Sequence, residues 1–416
     1  MSQSIATPVQ TRPRRSWALC ATLSAGHLLK HFYQNAFFIL VPEIKASLGL
    51  SDVGTGAIQA IRSITSGVVN LPAGMVTDTW RNRLNVILAV SLASLAIGYL
   101  IIGITPNYVL ILIAVAISGS GTAMWHAPAF GTLAAEYPER RATAMSFHRM
   151  GGSIGDTVAP TVIGVLLGGG SLWFLEFSGF TYREVALFLV VPALLGAALV
   201  AYGYRNLYAV GSAVGNVRSY FAAAVPLLAN PTVISMILLS SAHSFAHGGL
   251  NLFLVLYMRE DLGFSETRAG LYFSMLTFMG ILSTAPLAFL SDKWGRRPVI
   301  VLGMASISVL ILAMIPFGTG LSLAAIVLAL GVFLYSINPV MLAAAIDAAE
   351  SGTEGTGIAL MFTGPAIVGA VAPVVAGLIR ESFAMQGVFL FQGVLVGVVA
   401  MAALFVPMKK AAERPA

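Results

Sequence analysis

Apolar residues in this chain come in runs of about twenty or more, separated by short polar segments rich in glycine and proline. A helix rises 1.5 Å per residue, so roughly 20 apolar residues cross the ~30 Å hydrocarbon core of a bilayer. The pattern therefore predicts twelve membrane-spanning helices. The first six are 17–41, 54–77, 84–104, 107–135, 141–168 and 183–204, and the second six 231–258, 267–290, 297–317, 320–349, 355–380 and 385–407. The breaks carry turn chemistry and charge, as at Gly49 to Asp52, Pro106-Asn107, Pro138 to Arg141, Gly263 to Ser265 and Ser351 to Glu354. The longest polar connection, 205–230, reads as a cytoplasmic linker between an N-terminal six-helix half (17–204) and a C-terminal one (231–407). Polar tails flank the halves at 1–16 and 408–416. The first run ends without a small-residue cleavage site, so it reads as an uncleaved span and not a signal peptide. The tract from Gly168 to Tyr182, with Trp173, Phe174 and Phe177, reads as an outer loop anchored by aromatics at the membrane interface.

Composition supports the membrane reading. The chain of 416 residues is 57% hydrophobic and 10% charged, with mean hydropathy +0.87, whereas soluble domains carry about 25% charged residues. A pI near 9.5 invites a nucleic-acid partner, but the positions of the charges exclude it. With the N-terminus cytoplasmic, fifteen of the 23 Lys and Arg fall in inner segments, five in outer loops and three within spans. Both termini are therefore expected in the cytoplasm, in a multi-pass protein of the cell (inner) membrane. The single cysteine, Cys20, excludes an intrachain disulfide and reads as an inert thiol in an apolar run.

The two halves repeat each other. Gly26-His27-x3-His31-x3-Asn35 matches Ala242-His243-x3-His247-x3-Asn251, and Leu48-Gly49-Leu50-Ser51 matches Leu262-Gly263-Phe264-Ser265. The loop from Asp78 to Arg83 matches Asp292 to Arg297, and Thr143 through Pro160 matches Thr356 through Pro373. Parallel repeats with a site at the midplane between them are one architecture of secondary transporters. The segment Ala288-x3-Asp292-Lys293-x-Gly295-Arg296-Arg297 resembles the inner-loop motif of the major facilitator superfamily. The first-half copy departs from it, with Thr79 in place of the basic residue and Arg81 in place of glycine. This resemblance covers the whole chain and implies twelve helices in two pseudo-symmetric halves, spans 1, 4, 7 and 10 lining a cavity, alternating access, and a monomer. Asp78, Arg83, Asp292, Arg296 and Arg297 are then gating candidates, because an aspartate at a helix end facing arginine can latch the inner face. Within the superfamily, Gly26-His27-Leu28-Leu29 with Pro42, Gly119-x-Gly121-x4-His126, and Gly151-Gly152-x2-Gly155 with Ala159-Pro160 resemble the fosmidomycin-resistance-type drug exporters. The series Gly151, Gly155, Pro160, Gly164 is similar to a glycine-proline motif of exporters; helix packing alone is the alternative.

Ten ionisable residues lie inside the predicted spans: the six histidines, Lys30, Arg62, Arg149 and Asp156. Charge at bilayer depth costs roughly 2.5–3.5 kcal/mol on insertion scales, so these groups should face a polar interior. His27, Lys30, His31 and Gln34 share one helical face with Asn35 at its edge, and His243, His247 and Asn251 share another. At 1.5 Å per residue His27 and His31 lie roughly 15–21 Å from the inner end of their span, near the midplane. Asp156 is the one acid well inside a span. It is the first candidate for proton coupling, with His27, His31 and His126 as further carriers. Three fixed positive charges against one negative favour an anionic substrate. Lys30, Gln34, Asn35, Arg62, His126, Arg149, His243, His247 and Asn251 are the substrate-binding candidates, with the arginines as clamps for a carboxylate or phosphonate.

These readings converge on proton-coupled export of a small organic anion or drug by antiport, with a small-molecule substrate, protons and the lipid bilayer as partners. Uptake of an organic anion with protons uses the same residues. Transition-metal transport through the histidine pairs is a third reading, against which the surplus of basic residues stands; no resident metal or cofactor is expected. A nucleotide-binding glycine loop is absent from the sequence, as is any clustered nucleophile, so neither ATP-driven transport nor an enzyme is indicated.

Overall fold

The structure, a computed structural model, describes residues 17–80, 83–172, 175–205, 225–348 and 354–408. The tails 1–16 and 409–416, most of the 205–230 linker, and the loop residues 81–82, 173–174 and 349–353 lie outside the described residues.

Twelve helices of bilayer-spanning length follow one another among the described residues. In the first half, span 1 is Ala18–Leu48, span 2 Asp52–Thr79 and span 3 Leu84–Ile104. Span 4 is Tyr108–Ala123 continued by His126–Glu136, span 5 is Arg141–Gly168 and span 6 Tyr182–Gly203. In the second half, span 7 is Pro231–Leu256 with a widened turn Tyr257–Asp261, span 8 is Glu266–Trp294 and span 9 Arg296–Phe317. Span 10 is Gly320–Leu334 continued by Ile337–Ala348. The stretch Glu354–Ala403 is two helices, because Phe383 and Ala384 leave helical geometry and Ala384 has φ 55°; they are spans 11 and 12. Nine stretches of the described residues meet both the length and the apolar composition for crossing a membrane, the last containing spans 11 and 12 together. Spans 1 and 2 are long enough, but their buried His27, Lys30 and Arg62 dilute their apolar character.

Local chemistry accounts for the ends. Ser51, Asn107, Thr181, Asn230 and Ser265 cap their helices with side-chain acceptors, Thr181 in a reciprocal capping box with Glu184. Span 1 runs past Pro42, where the apolar pattern suggests an end, to a left-handed Gly49 with φ 60°. A proline forfeits only one ladder bond, and buried Ile44 keeps the last turns packed. Spans 4 and 10 are interrupted at equivalent places, Met124-Trp125 and Tyr335-Ser336, where the sequence pattern reads each as continuous. The tract between spans 5 and 6 folds as a hairpin, Gly170–Leu172 pairing antiparallel with Leu175–Phe177.

The halves meet along spans 2 and 11 and along spans 5 and 8. There glycines allow backbone-to-backbone approach: a Cβ on Gly377 would stand 2.6 Å from the Asp52 carbonyl, and Gly56, Gly164 and Gly270 abut the carbonyls of Pro373, Glu266 and Pro160. Gly151 and Gly155 likewise abut the span 1 carbonyls of Ser24 and Leu28. The glycine-proline series thus packs span 5 against spans 1 and 8.

Candidate functional site

Between the halves lies a cavity of about 580 Å³. Its first-half wall is built from His31, Gln34, Asn35 and Phe38 of span 1, Gln59, Arg62, Ser63, Ser66 and Asn70 of span 2, and Arg149 and Asp156 of span 5. Its second-half wall carries His243, Ser244, His247 and Asn251 of span 7, Tyr335, Asn338 and Pro339 at the span 10 break, and Pro365, Ala366, Gly369 and Ala370 of span 11. All three fixed charges on the lining stand on the first half. Span 4 contributes Thr122 alone, less than the superfamily resemblance implies, because its break turns His126 toward span 1.

Asp156 faces the cavity but its carboxylate is engaged. Oδ1 lies 2.9 Å from His31 Nδ1 and accepts a hydrogen bond from Asn35 Nδ2. His31 Nε2 lies 3.1 Å from His27 Nε2, and His27 Nδ1 lies 2.7 Å from the His148 carbonyl. The Lys30 ammonium sits in the same cluster, 2.9 Å from His126 Nε2 and 3.4 Å from His31 Nε2. The rings of His27 and His148 stack at 4.1 Å, 6° apart. Gly152 makes the space: a Cβ there would lie 2.7 Å from His27 Cε1 and 2.9 Å from His31 Cδ2.

Arg62 is buried, donates to the Gln34 carbonyl at 3.0 Å, and lies with its guanidinium carbon 4.8 Å from the centre of the Phe37 ring. Arg149 is exposed and lines the cavity. Among the described residues neither arginine, nor Lys30, has a carboxylate within ion-pair distance. Across the cavity Asn251 Nδ2 reaches His247 Nε2 at 3.3 Å and the Tyr335 hydroxyl at 3.4 Å. Gln34 Oε1, His243 Nε2 and Asn251 Oδ1 are buried without a partner among the described residues.

The structure thus brings nine of the proposed site residues to one cavity: His31, Gln34, Asn35, Arg62, Arg149, Asp156, His243, His247 and Asn251. Lys30, His27 and His126 stand behind that wall, in the histidine cluster. The imidazole nitrogens of His27, His31 and His126 lie within 4.8 Å of one another, as metal ligands would. The Lys30 ammonium lies against two of the three rings, however, 2.9 Å from His126 Nε2 and 3.4 Å from His31 Nε2, and a divalent metal ion there would meet its repulsion. His148, Tyr335, Asn338 and Gln59 are site residues that sequence reasoning did not single out. For Tyr335 and Asn338 the available signal was the paired polar interruption of an apolar run; His148 carried none beyond its burial in a span.

The gating candidates lie at the end of the bundle where span 1 begins and span 12 ends. Arg296 pairs with Asp292 at 2.5 Å and with Asp347 at 3.1 Å, and Arg297 donates to the Val406 carbonyl at 2.5 Å, all within the second half. Arg83 precedes span 3 and is exposed; the Asp78 side chain lies outside the described residues. At the opposite end ion pairs join the halves. Lys45 pairs with Glu260 at 2.7 Å, Arg380 with Asp52 at 2.9 Å, and Arg259 with Glu43 at 2.8 Å. Arg380 also holds Glu260 and Asp261, and Lys45 holds Asp52.

Two six-helix halves around a polar cavity define a secondary-transporter architecture. The profile of the Major Facilitator Superfamily matches residues 23–245 and again 236–416, and the chain belongs to that superfamily. It is a multi-pass membrane transporter and not an enzyme. The chain is 21% identical over 311 residues to the fosmidomycin resistance protein of Escherichia coli (strain K12), covering 72% of each. Its fold is similar to that of a bacterial homolog of the human lysosomal transporter Spinster, in an inward-facing and unoccupied conformation. The TM-score is 0.82 at 16% identity, over 95% of this chain and 97% of that one. It is also similar to the nucleoside transporter NupG, with TM-score 0.73 at 15% identity over 93% and 98% of the two chains.

Proposed function

We propose that this chain is a proton-coupled exporter of a small organic anion, carboxylate- or phosphonate-like, working by alternating access in the cell (inner) membrane as a monomer with both termini in the cytoplasm. One observation carries the substrate class. The cavity holds two arginines without acidic partners among the described residues, while the one carboxylate on its lining, Asp156, is held by His31 and Asn35. The resulting positive field attracts anions and repels cations. The second-half wall supplies unpaired positions, His243 Nε2 and Asn251 Oδ1, for the polar remainder of a substrate. Export is supported by the relative named for fosmidomycin resistance. Closure by cross-half ion pairs at the end away from the termini, together with the inward-facing state of the Spinster homolog, supports a cavity facing the cytoplasm.

Uptake of an organic anion with protons is the second reading, favoured by the same field, because a bound proton and a bound anion attract each other in one cavity. The two are separated in vesicles carrying the purified full chain. Fosmidomycin moving against an opposed proton flux supports export by antiport; fosmidomycin and protons moving together support the second reading. Transport that ignores an imposed proton gradient defeats both.

A further inference from the structure

The hydrogen bonds around His31 offer a place for a mobile proton on the ring itself. The His148 carbonyl can only accept, so His27 Nδ1 is the donor, and neutral His27 then presents a bare Nε2. On the other side, Asp156 Oδ1 faces His31 Nδ1 and also accepts from Asn35. With Asp156 ionised, as the Asn35 amide donating to the same oxygen favours, His31 Nδ1 carries the hydrogen of that contact. In the unloaded state two bare Nε2 atoms, of His27 and His31, therefore face each other at 3.1 Å. Two acceptors at hydrogen-bond distance need a hydrogen between them.

We infer that the coupling proton is carried on His31 Nε2, shared with His27 Nε2, and that Asp156 is the fixed counter-charge that positions the ring. This rests on the proton-coupled reading above. Loading takes one proton from cavity water onto the His31 Nε2 lone pair, giving an imidazolium held between the Asp156 carboxylate and His27. Unloading returns that proton to water on the other face, and no other bond changes. His31 lines the cavity while His27 does not, so His31 is the member that exchanges with water. The groups facing His31 are His27 and Lys30 on span 1, His126 on span 4, and His148 and Asp156 on span 5. Span 2 adds Arg62 and span 10 adds Tyr335, both on the lining of the cavity that His31 faces. The Lys30 ammonium has three donors and lies 2.9 Å from His126 Nε2 and 3.4 Å from His31 Nε2; the longer contact is the one the incoming proton displaces, with the Asp156 carboxylate beside the ring offsetting the added charge. The competing arrangement carries the same proton on Asp156, with His31 in the opposite tautomer.

Infrared difference spectra of the purified full chain between neutral and acid pH separate the two without any substrate. The inference expects imidazole bands that vanish in His31→Gln, and no protonated-carboxyl band that vanishes in Asp156→Asn. A carboxyl band lost in Asp156→Asn, with the imidazole bands intact in His31→Gln, overturns it. In vesicles, with fosmidomycin as the probe, His31→Gln loses gradient-driven accumulation together with the pH dependence of exchange. Asp156→Asn keeps coupling but requires a more acidic medium, because the imidazolium has lost its counter-charge. Coupling retained in His31→Gln and lost in Asp156→Asn moves the proton to Asp156 and leaves proton-coupled transport standing. A wild-type chain insensitive to the gradient removes both.

Discussion

Replacing Arg380 by glutamine should open the end of the transporter away from the termini. Arg380 stands on span 11 and holds Asp52 of the first half at 2.9 Å, with only 9% and 13% of the two side chains exposed. A charge-assisted hydrogen bond between groups this well covered contributes about 1.5–3 kcal/mol, against roughly 0.2–1 kcal/mol for a fully exposed pair. Asp52 keeps Lys45 at 2.6 Å in the variant, so the loss falls near the lower figure, about 1–2 kcal/mol. The network joins the halves only when this end is closed, and the loss therefore acts on the conformational equilibrium, a shift of roughly fivefold to thirtyfold toward the open form. The assay is labelling of Gln59→Cys by a membrane-impermeant maleimide added outside whole cells. Gln59 lines the cavity on span 2, and the native Cys20 is buried beside Ala144. Labelling that rises by that factor in Arg380→Gln supports the reasoning. Labelling that stays at the Arg380 level would show that the glycine seam of spans 2 and 11 holds this end shut without the ion pairs.

Three other outcomes are expected. Gly377→Ala places a Cβ 2.6 Å from the Asp52 carbonyl; overpacking of this kind costs about 1–3 kcal/mol, which should appear as a lower melting temperature or as the same opened end, read by the same labelling. Gly152→Ala crowds His27 and His31 and should abolish the pH dependence of fosmidomycin exchange in vesicles; a normal pH profile would mean that the histidine pair is not the titrating element. Arg62→Gln and Arg149→Gln should each weaken fosmidomycin binding roughly tenfold or more, as loss of a charge-assisted contact implies, measured by titration calorimetry, whereas Lys30→Met, behind the cavity wall, should act on coupling before affinity.

Much of the architecture was legible because the bilayer imposes one period and one length on every span. The position of the break near Ala384 follows from that constraint. The breaks within spans 4 and 10 were not legible, because the apolar runs resume after them, although each is followed three residues on by a proline, Pro128 after Trp125 and Pro339 after Ser336. Nor was the hairpin at Gly170–Leu172, whose three-residue strands are too short to show a period. At the site, a helical face about 100° wide put His27, Lys30, His31 and Gln34 together. Only the packing of spans 4 and 5 decides that His31 and Gln34 meet the cavity while Lys30 turns to His126. The ion pairs of Lys45, Arg259 and Arg380 were invisible for the same reason: one sequence places a charge at a span end but not the partner that another span brings to it.

The claim that this is a carrier of organic anions is tested most directly by thermal stabilisation of the purified full chain in the presence of fosmidomycin and simple carboxylates, lipophilic cations, or divalent transition metals. A ligand at a hundred times its dissociation constant adds about 2.7 kcal/mol. The account predicts stabilisation by the anions that is lost in Arg62→Gln and in Arg149→Gln. Stabilisation by metals alone, lost when His27 or His126 is replaced, would contradict it.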